Sequence, residues 1–148
     1  MADSIQETLF ENLDVGGQLE EMASTIFLEA ENQPYKGKLA VSWCIVNRVR
    51  DARWSDNPAS VCHQKWQFSA WNEGMEEWRD KRFEGHAQDP NWVDSWKAAC
   101  SAYFAFEADP TKGACHYLVS SVQDQTYWAK GKLPCVIIGD HSFFNDIA

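Results

Sequence analysis

Two carboxylates, Glu29 and Glu31, stand in the stretch IFLEAENQPYKGKLAVSWCIVNRV, where an apolar segment runs into a turn marked by Pro34 and Gly37. A carboxyl group held half against apolar surface has its pKa pushed upward, as a general acid working near neutral pH requires. At about 100° per residue, the apolar stripe of the first helix is centred between Ile26 and Ala30, with Glu29 roughly 90° from that centre and Glu31 about 110° away on the other flank. Both border the stripe, so spacing does not choose between them. The plain alternative for each is a solvated residue at a helix end, where the helix dipole mildly disfavours a carboxylate.

Two Cys-His pairs, Cys62-His63 and Cys115-His116, raise metal and thiol chemistry, with His86 and His141 elsewhere. Adjacent residues of a strand face opposite ways, so such a pair rarely gives one metal two ligands. No metal site and no cofactor is expected. Five cysteines are an odd number without CxxC spacing, which argues against a disulfide framework and for a chain made in a reducing compartment.

The elements that must position these groups follow from periodicity. The segment from about Gln18 to Ala30 carries Leu19, Met22, Ala23, Ile26, Phe27 and Ala30 at helical spacing. Lys38 to Arg50 is apolar almost all round and reads as the enclosed central helix. DARWSDNPAS reads as a loop of turn formers, and the following VCHQKWQFSAWNEG has little periodicity. EEWRDKRFEGHAQDP reads as an exposed, charged excursion, and Trp92 to Phe104 as a strongly amphipathic helix. CHYLVS and CVIIGDHSFF are short β-like runs, the second turning at Gly139-Asp140. The fold class is α+β, mainly helical, with a small C-terminal β-hairpin.

A length of 148 residues suits one domain. Residues 1–17, with a capping box at Ser4–Glu7, read as an N-terminal arm, and 18–148 as the domain proper. The acidic start lacks the basic and apolar regions of a secretory signal, and no apolar run suits membrane insertion. A net charge of −9 argues against a nucleic-acid partner. Eight Trp, eight Phe and four Tyr exceed ordinary core needs and suit a sugar-binding cleft. A monomer is expected.

The block EMASTIFLEAENQPYKGKLAVSWCIVNRV resembles the opening of the cell-wall hydrolase family of spore cortex-lytic enzymes (SleB/CwlJ type), which reads G-E-A-R-G-E-P-Y-x-G and then N-R-V. HQKWQFSAWN is similar to its Q-F-S-x-W segment, DPTKGACHYLVSS to its D-P-T-x-G-A-x-x-Y segment, and WAKGKLPCVIIGDHSFF to its W-x-x-G…I-G-x-H-x-F ending. The four segments run in family order from Leu19 to Phe144.

The resemblance implies a lysozyme-like, lytic-transglycosylase-related fold whose one catalytic glutamate is Glu29. The implied partner is the peptidoglycan glycan strand, cut between N-acetylmuramic acid and N-acetylglucosamine. Gln67, Ser69, His116 and Tyr117 are then expected as hydrogen-bonding residues of the cleft, and Trp71 and Trp128 as faces for sugar rings. Phe68 and Phe143 are expected in the core, with Asn47 and His141 as buried polar anchors. Leu28, Glu31 and Gln33 depart from the motif's Gly, Arg and second Glu; Glu31 is expected to point to water. A hydrolytic muramidase would need a second carboxylate, with Glu31, Asp51 and Asp56 as candidates. A glycan-binding virion or envelope protein without catalysis is the rival of another class. A lone catalytic domain of this kind suits a phage lysis enzyme or virion component.

Overall fold

The computed structural model describes residues 9–65 and 67–148; the capping box expected at Ser4–Glu7 lies outside them. Five helices lying wholly within the described residues come first and a small sheet last, as the change of period predicts.

Helix α1, Val15–Glu29, starts three residues before the expected Gln18. Asp14 caps it, its Oδ1 accepting the Gly17 N–H at 2.8 Å, so Gly16 and Gly17 form the first turn instead of a break. The expected stripe is its buried face, with Met22, Ala23, Ile26 and Phe27 fully enclosed. Helix α2, Tyr35–Val49, follows Pro34 and buries most of its circumference, as its all-round apolarity requires.

Lys38 on α2 is buried, yet its ammonium donates to the Glu31 carbonyl at 3.1 Å and the Gln33 carbonyl at 2.6 Å. A cation on carbonyls of the turn just past α1 satisfies their unpaired lone pairs and lies near the negative end of the helix.

Helix α3, Pro58–His63, was hidden in a stretch that reads as loop and mixed sequence. It is one and a half turns long, too short to show a period, but Asn57 caps it with Oδ1 on the Ser60 N–H at 2.9 Å. Helix α4, Glu76–Phe83, is the charged excursion; it is helical but buries no residue. Helix α5, Pro90–Tyr103, is capped by Asp89 and packs against both α1 and α2, closing the main core.

Strands β1 (His116–Val119), β2 (Val136–Ile138) and β3 (His141–Phe144) form an antiparallel sheet in the order β1-β3-β2. Tyr117 stands opposite Phe143, and Val119 and Ile138 both stand opposite His141. Gly139 and Asp140 make the two-residue β2–β3 turn, with Gly139 at φ +57°.

Gln33 clamps that turn. Its Oε1 accepts the Asp140 N–H at 3.0 Å, and its Nε2 donates to Asp140 Oδ2 at 3.1 Å. A Cβ at position 139 would meet Gln33 Oε1 at 2.3 Å, in a backbone region that side chains avoid. Gly139→Ala is therefore expected to cost about 2 kcal/mol in chemical denaturation. Adding Gln33→Ala removes the clash, so the pair should cost less than the sum of the single changes.

Candidate active site

Glu29 ends α1, where the helix meets the sheet. Its Oε1 accepts the Ala70 N–H at 3.2 Å from the short 3-10 turn Ser69–Trp71. The same face of α1 holds that turn one helical step earlier, through Thr25 Oγ1 and the Trp71 indole N–H at 2.9 Å. Arg79 of α4 holds it from the other side, donating to the Ala70 carbonyl at 2.8 Å.

Burial raises the Glu29 pKa above its ordinary 4.5, and the Ala70 N–H only partly offsets this. The group is thus biased toward the protonated form that can donate to a leaving oxygen.

Glu29 opens on a groove of about 800 Å³ between the end of α1, helix α4 and the hairpin. Its wall includes Glu31, Trp78, Ser120, Ile137, Asp140 and His141. Val119, Ile137 and Trp78 expose large apolar surface there, beside hydroxyl and carboxylate groups. A partly apolar concavity with a few convergent polar groups is the usual form of a small-molecule or saccharide site.

Glu31 departs from the expected exposure to water: it lines the groove and forms an ion pair with Arg82 of α4. The other candidate second carboxylates lie elsewhere. Asp51 pairs with Arg53 at 3.0 Å beside a separate recess, and Asp56 is exposed in the loop before α3.

The expected binding residues divide. Tyr117 packs its ring 5.7 Å from Phe143 and 5.1 Å from His141. Burial pushes its phenol well above its usual value, with the Glu29 charge adding to the effect. His141 lines the groove from β3; it is buried, its Nδ1 has no hydrogen-bond partner, and burial lowers its pKa. Expected as a buried polar anchor, it is buried but makes no hydrogen bond at Nδ1. Asn47 does tie elements together, donating to Asp109 Oδ2 and to the Ala114 carbonyl, each at 3.0 Å.

The remaining five, like Tyr117, do not line the groove. Gln67 accepts from the buried Arg48 at 3.2 Å, and Ser69 is an exposed residue of the 3-10 turn. Trp71 has the His63 ring 4.3 Å from its own and the Arg79 guanidinium 5.2 Å away, so neighbours occupy the surface a sugar would need. Trp128 packs on Phe144 in a minor core cluster. His116 sits between Trp54 and Trp128, in the recess with Asp51 and Arg53. Burial and the nearby Arg48 and Arg53 charges push its pKa down to about 4.

Sequence reasoning missed Thr25, Arg79, Arg82 and Trp78. Thr25 and Arg82 act on neighbours distant in sequence, and Arg79 reaches back across an irregular loop, so none leaves a local signal. Trp78 left one: a single large aromatic in the otherwise charged run EEWRDKR.

The mainly helical domain with a small sheet, its half-buried Glu29 over the groove, has the lysozyme-like class of fold that its solved structural neighbours share. The catalytic domain of the germination-specific lytic transglycosylase SleB from Bacillus anthracis superposes with a TM-score of 0.66 at 22% identity, over 90% of this chain and 98% of that one. The catalytic domain of Bacillus cereus SleB gives the same score and identity, over 90% of this chain and 94% of that one. A spore cortex-lytic enzyme of Oceanobacillus iheyensis is 26% identical over 88 residues, 60% of this chain but 32% of its own length, so this chain spans about a third of that relative. The Cell Wall Hydrolase family model matches residues 32–144. The chain belongs to the cell wall hydrolase family. That match starts just after Glu29, so the case for this residue rests on its geometry and on the motif around it.

Proposed function

We propose that this domain degrades peptidoglycan, cleaving the β-1,4 bond between N-acetylmuramic acid and N-acetylglucosamine as a lytic transglycosylase with Glu29 as its single acid and base. Protonated Glu29 gives its proton to the glycosidic oxygen as the bond to C1 breaks, leaving oxocarbenium character that the neighbouring N-acetyl carbonyl helps to carry. The carboxylate so formed then takes the proton of the same sugar's C6 hydroxyl, whose oxygen closes on C1. Glu29 is thereby reset, a 1,6-anhydro end is made and no water is consumed. The internal hydroxyl gains from proximity that a free water lacks.

The observation that carries this reading is the state of the carboxylates in the groove. Glu29 is half-buried, with one backbone hydrogen bond and a raised pKa. Glu31 is engaged by Arg82 and Asp140 by Gln33. One acid is free for proton transfer, and the transglycosylase route needs only one, whereas hydrolysis needs a second carboxylate to activate water or attack C1.

Digestion of purified peptidoglycan followed by mass analysis tests this. The expected muropeptides are lighter by one water than muramidase products. Products bearing only reducing ends would overturn the transglycosylase step, keep the substrate and move attention to Glu31 and Asp140. We also propose a phage-type lysis role, supported by five cysteines that are all unpaired, as a protein made in a reducing compartment would keep them.

A further inference from the structure

Helix α4 is unusual in burying none of its residues, yet its Trp78 lines the groove. Two arginines fasten it. Arg79 reaches the Ala70 carbonyl, in the residue whose N–H binds Glu29, and Arg82 reaches Glu31 while lying 5.3 Å from the centre of the Phe27 ring. Trp78 and Arg82 are one helical turn apart and share a face. That face brings Trp78 into the groove wall with 39% of its surface still open. No other Trp, Phe or Tyr lines the groove among the described residues.

A pyranose ring presents a face of C–H groups, and an exposed indole offers a rigid apolar plane with a polar edge. Trp71 has its ring taken by His63 and Arg79, and Trp128 packs into a minor core cluster away from the groove, whereas Trp78 stays open. Val119 and Ile137 widen the apolar surface of the groove, while Ser120 and Ser121 supply hydroxyls for the ring substituents.

We propose that α4 forms a sugar subsite in which Trp78 stacks on an N-acetylhexosamine ring of the bound glycan, with the Glu31–Arg82 pair as the positioning element that keeps the helix at the groove. This rests on the Glu29 groove being the glycan site. It also gives a physical role to the carboxylate at 31, where the family motif has an arginine.

The test uses the full chain with two probes, the N-acetylglucosamine tetramer for binding to a Glu29→Gln background and purified peptidoglycan for turnover. Trp78→Ala is expected to weaken tetramer binding and raise KM by about tenfold, with kcat within about threefold of wild type. Trp78→Phe, which keeps an aromatic plane, is expected to retain most of both. Arg82→Glu places two carboxylates together and should raise KM in the same direction, and the charge swap E31R/R82E should restore it. Thermal melts and circular dichroism check that each variant is folded.

Tetramer binding and KM unchanged by Trp78→Ala, in a chain that cleaves peptidoglycan, would overturn the subsite and leave the role of Glu29 standing. Failure of the charge swap to recover KM would overturn the positioning role of the pair. A wild-type chain that neither cleaves peptidoglycan nor binds the tetramer would overturn both the subsite and the proposed function.

Discussion

Glu29→Gln should abolish peptidoglycan clearing, with turnover down by about a thousandfold or more, while the protein becomes more stable at neutral pH. The first effect follows from removing the proton donor without removing the shape. Gln keeps an oxygen for the Ala70 N–H at nearly the same place. The second effect follows from linkage. Burial raises the Glu29 pKa above 4.5, so the folded chain keeps this proton to a higher pH than the unfolded chain does. Between the two values the folded state binds more protons, and stability falls as pH rises through that window. Gln does not ionise and escapes the loss. Melting curves are expected to show the variant above wild type near pH 7, with the gap narrowing through the folded pKa and closing below about 4.5, where Glu29 becomes protonated in both states. A variant that clears peptidoglycan at the wild-type rate would remove Glu29 from the mechanism. Equal melting temperatures at all pH values would mean that burial imposes no such penalty on the carboxylate.

The parts legible in the sequence are those governed by short-range pattern. The stripe of α1, the enclosed α2, the amphipathic α5 and the Gly139-Asp140 turn all follow from spacing that local sterics and burial dictate. The cap of α1 was written in the sequence as Asp14, but two glycines behind it mimic a break. Helix α3 escaped because a helix of one and a half turns has no period to read.

The groove was less legible, because it is made by contacts across long sequence separations. Trp71 and Trp78 are seven residues apart, and neither stands in a periodic apolar pattern. Only the fold turns one onto Thr25 and the other toward the groove. Glu31 illustrates the same limit. Its pattern near a helix end reads as solvated, and the cation that claims it comes from the apparently featureless charged run.

Asp109→Ala should be the most damaging change away from the groove, costing about 4 kcal/mol and lowering the melting temperature by about 10 °C. Both carboxylate oxygens are fully used. Oδ1 accepts from the Thr111 N–H and hydroxyl, each at 2.7 Å. Oδ2 accepts from the Gly113 N–H and from Asn47 Nδ2, each at 3.0 Å. The side chain therefore folds the D-P-T-x-G-A loop around itself and pins it to α2. Alanine leaves four donors to find water in a partly closed space, and some of them are charge-assisted bonds worth more than neutral ones. Asp109→Asn is a sharper variant, since its amide can satisfy one side but presents N–H groups to two donors on the other. It should lose nearly as much as alanine. Asn47→Ala should cost about half as much, and the double variant less than the sum, because the two residues share a bond. The loop leads directly into β1 and thus to Tyr117, but no atom of Asp109 or Asn47 lines the groove. Activity measured well below the lowered melting temperature is therefore expected to stay within a few-fold of wild type. The two substitutions then have opposite signatures, one losing activity while gaining stability at neutral pH and the other losing stability while keeping activity. Scaffold and chemistry are separable in this way only if Glu29, and not the motif residues around Asp109, carries the proton transfer.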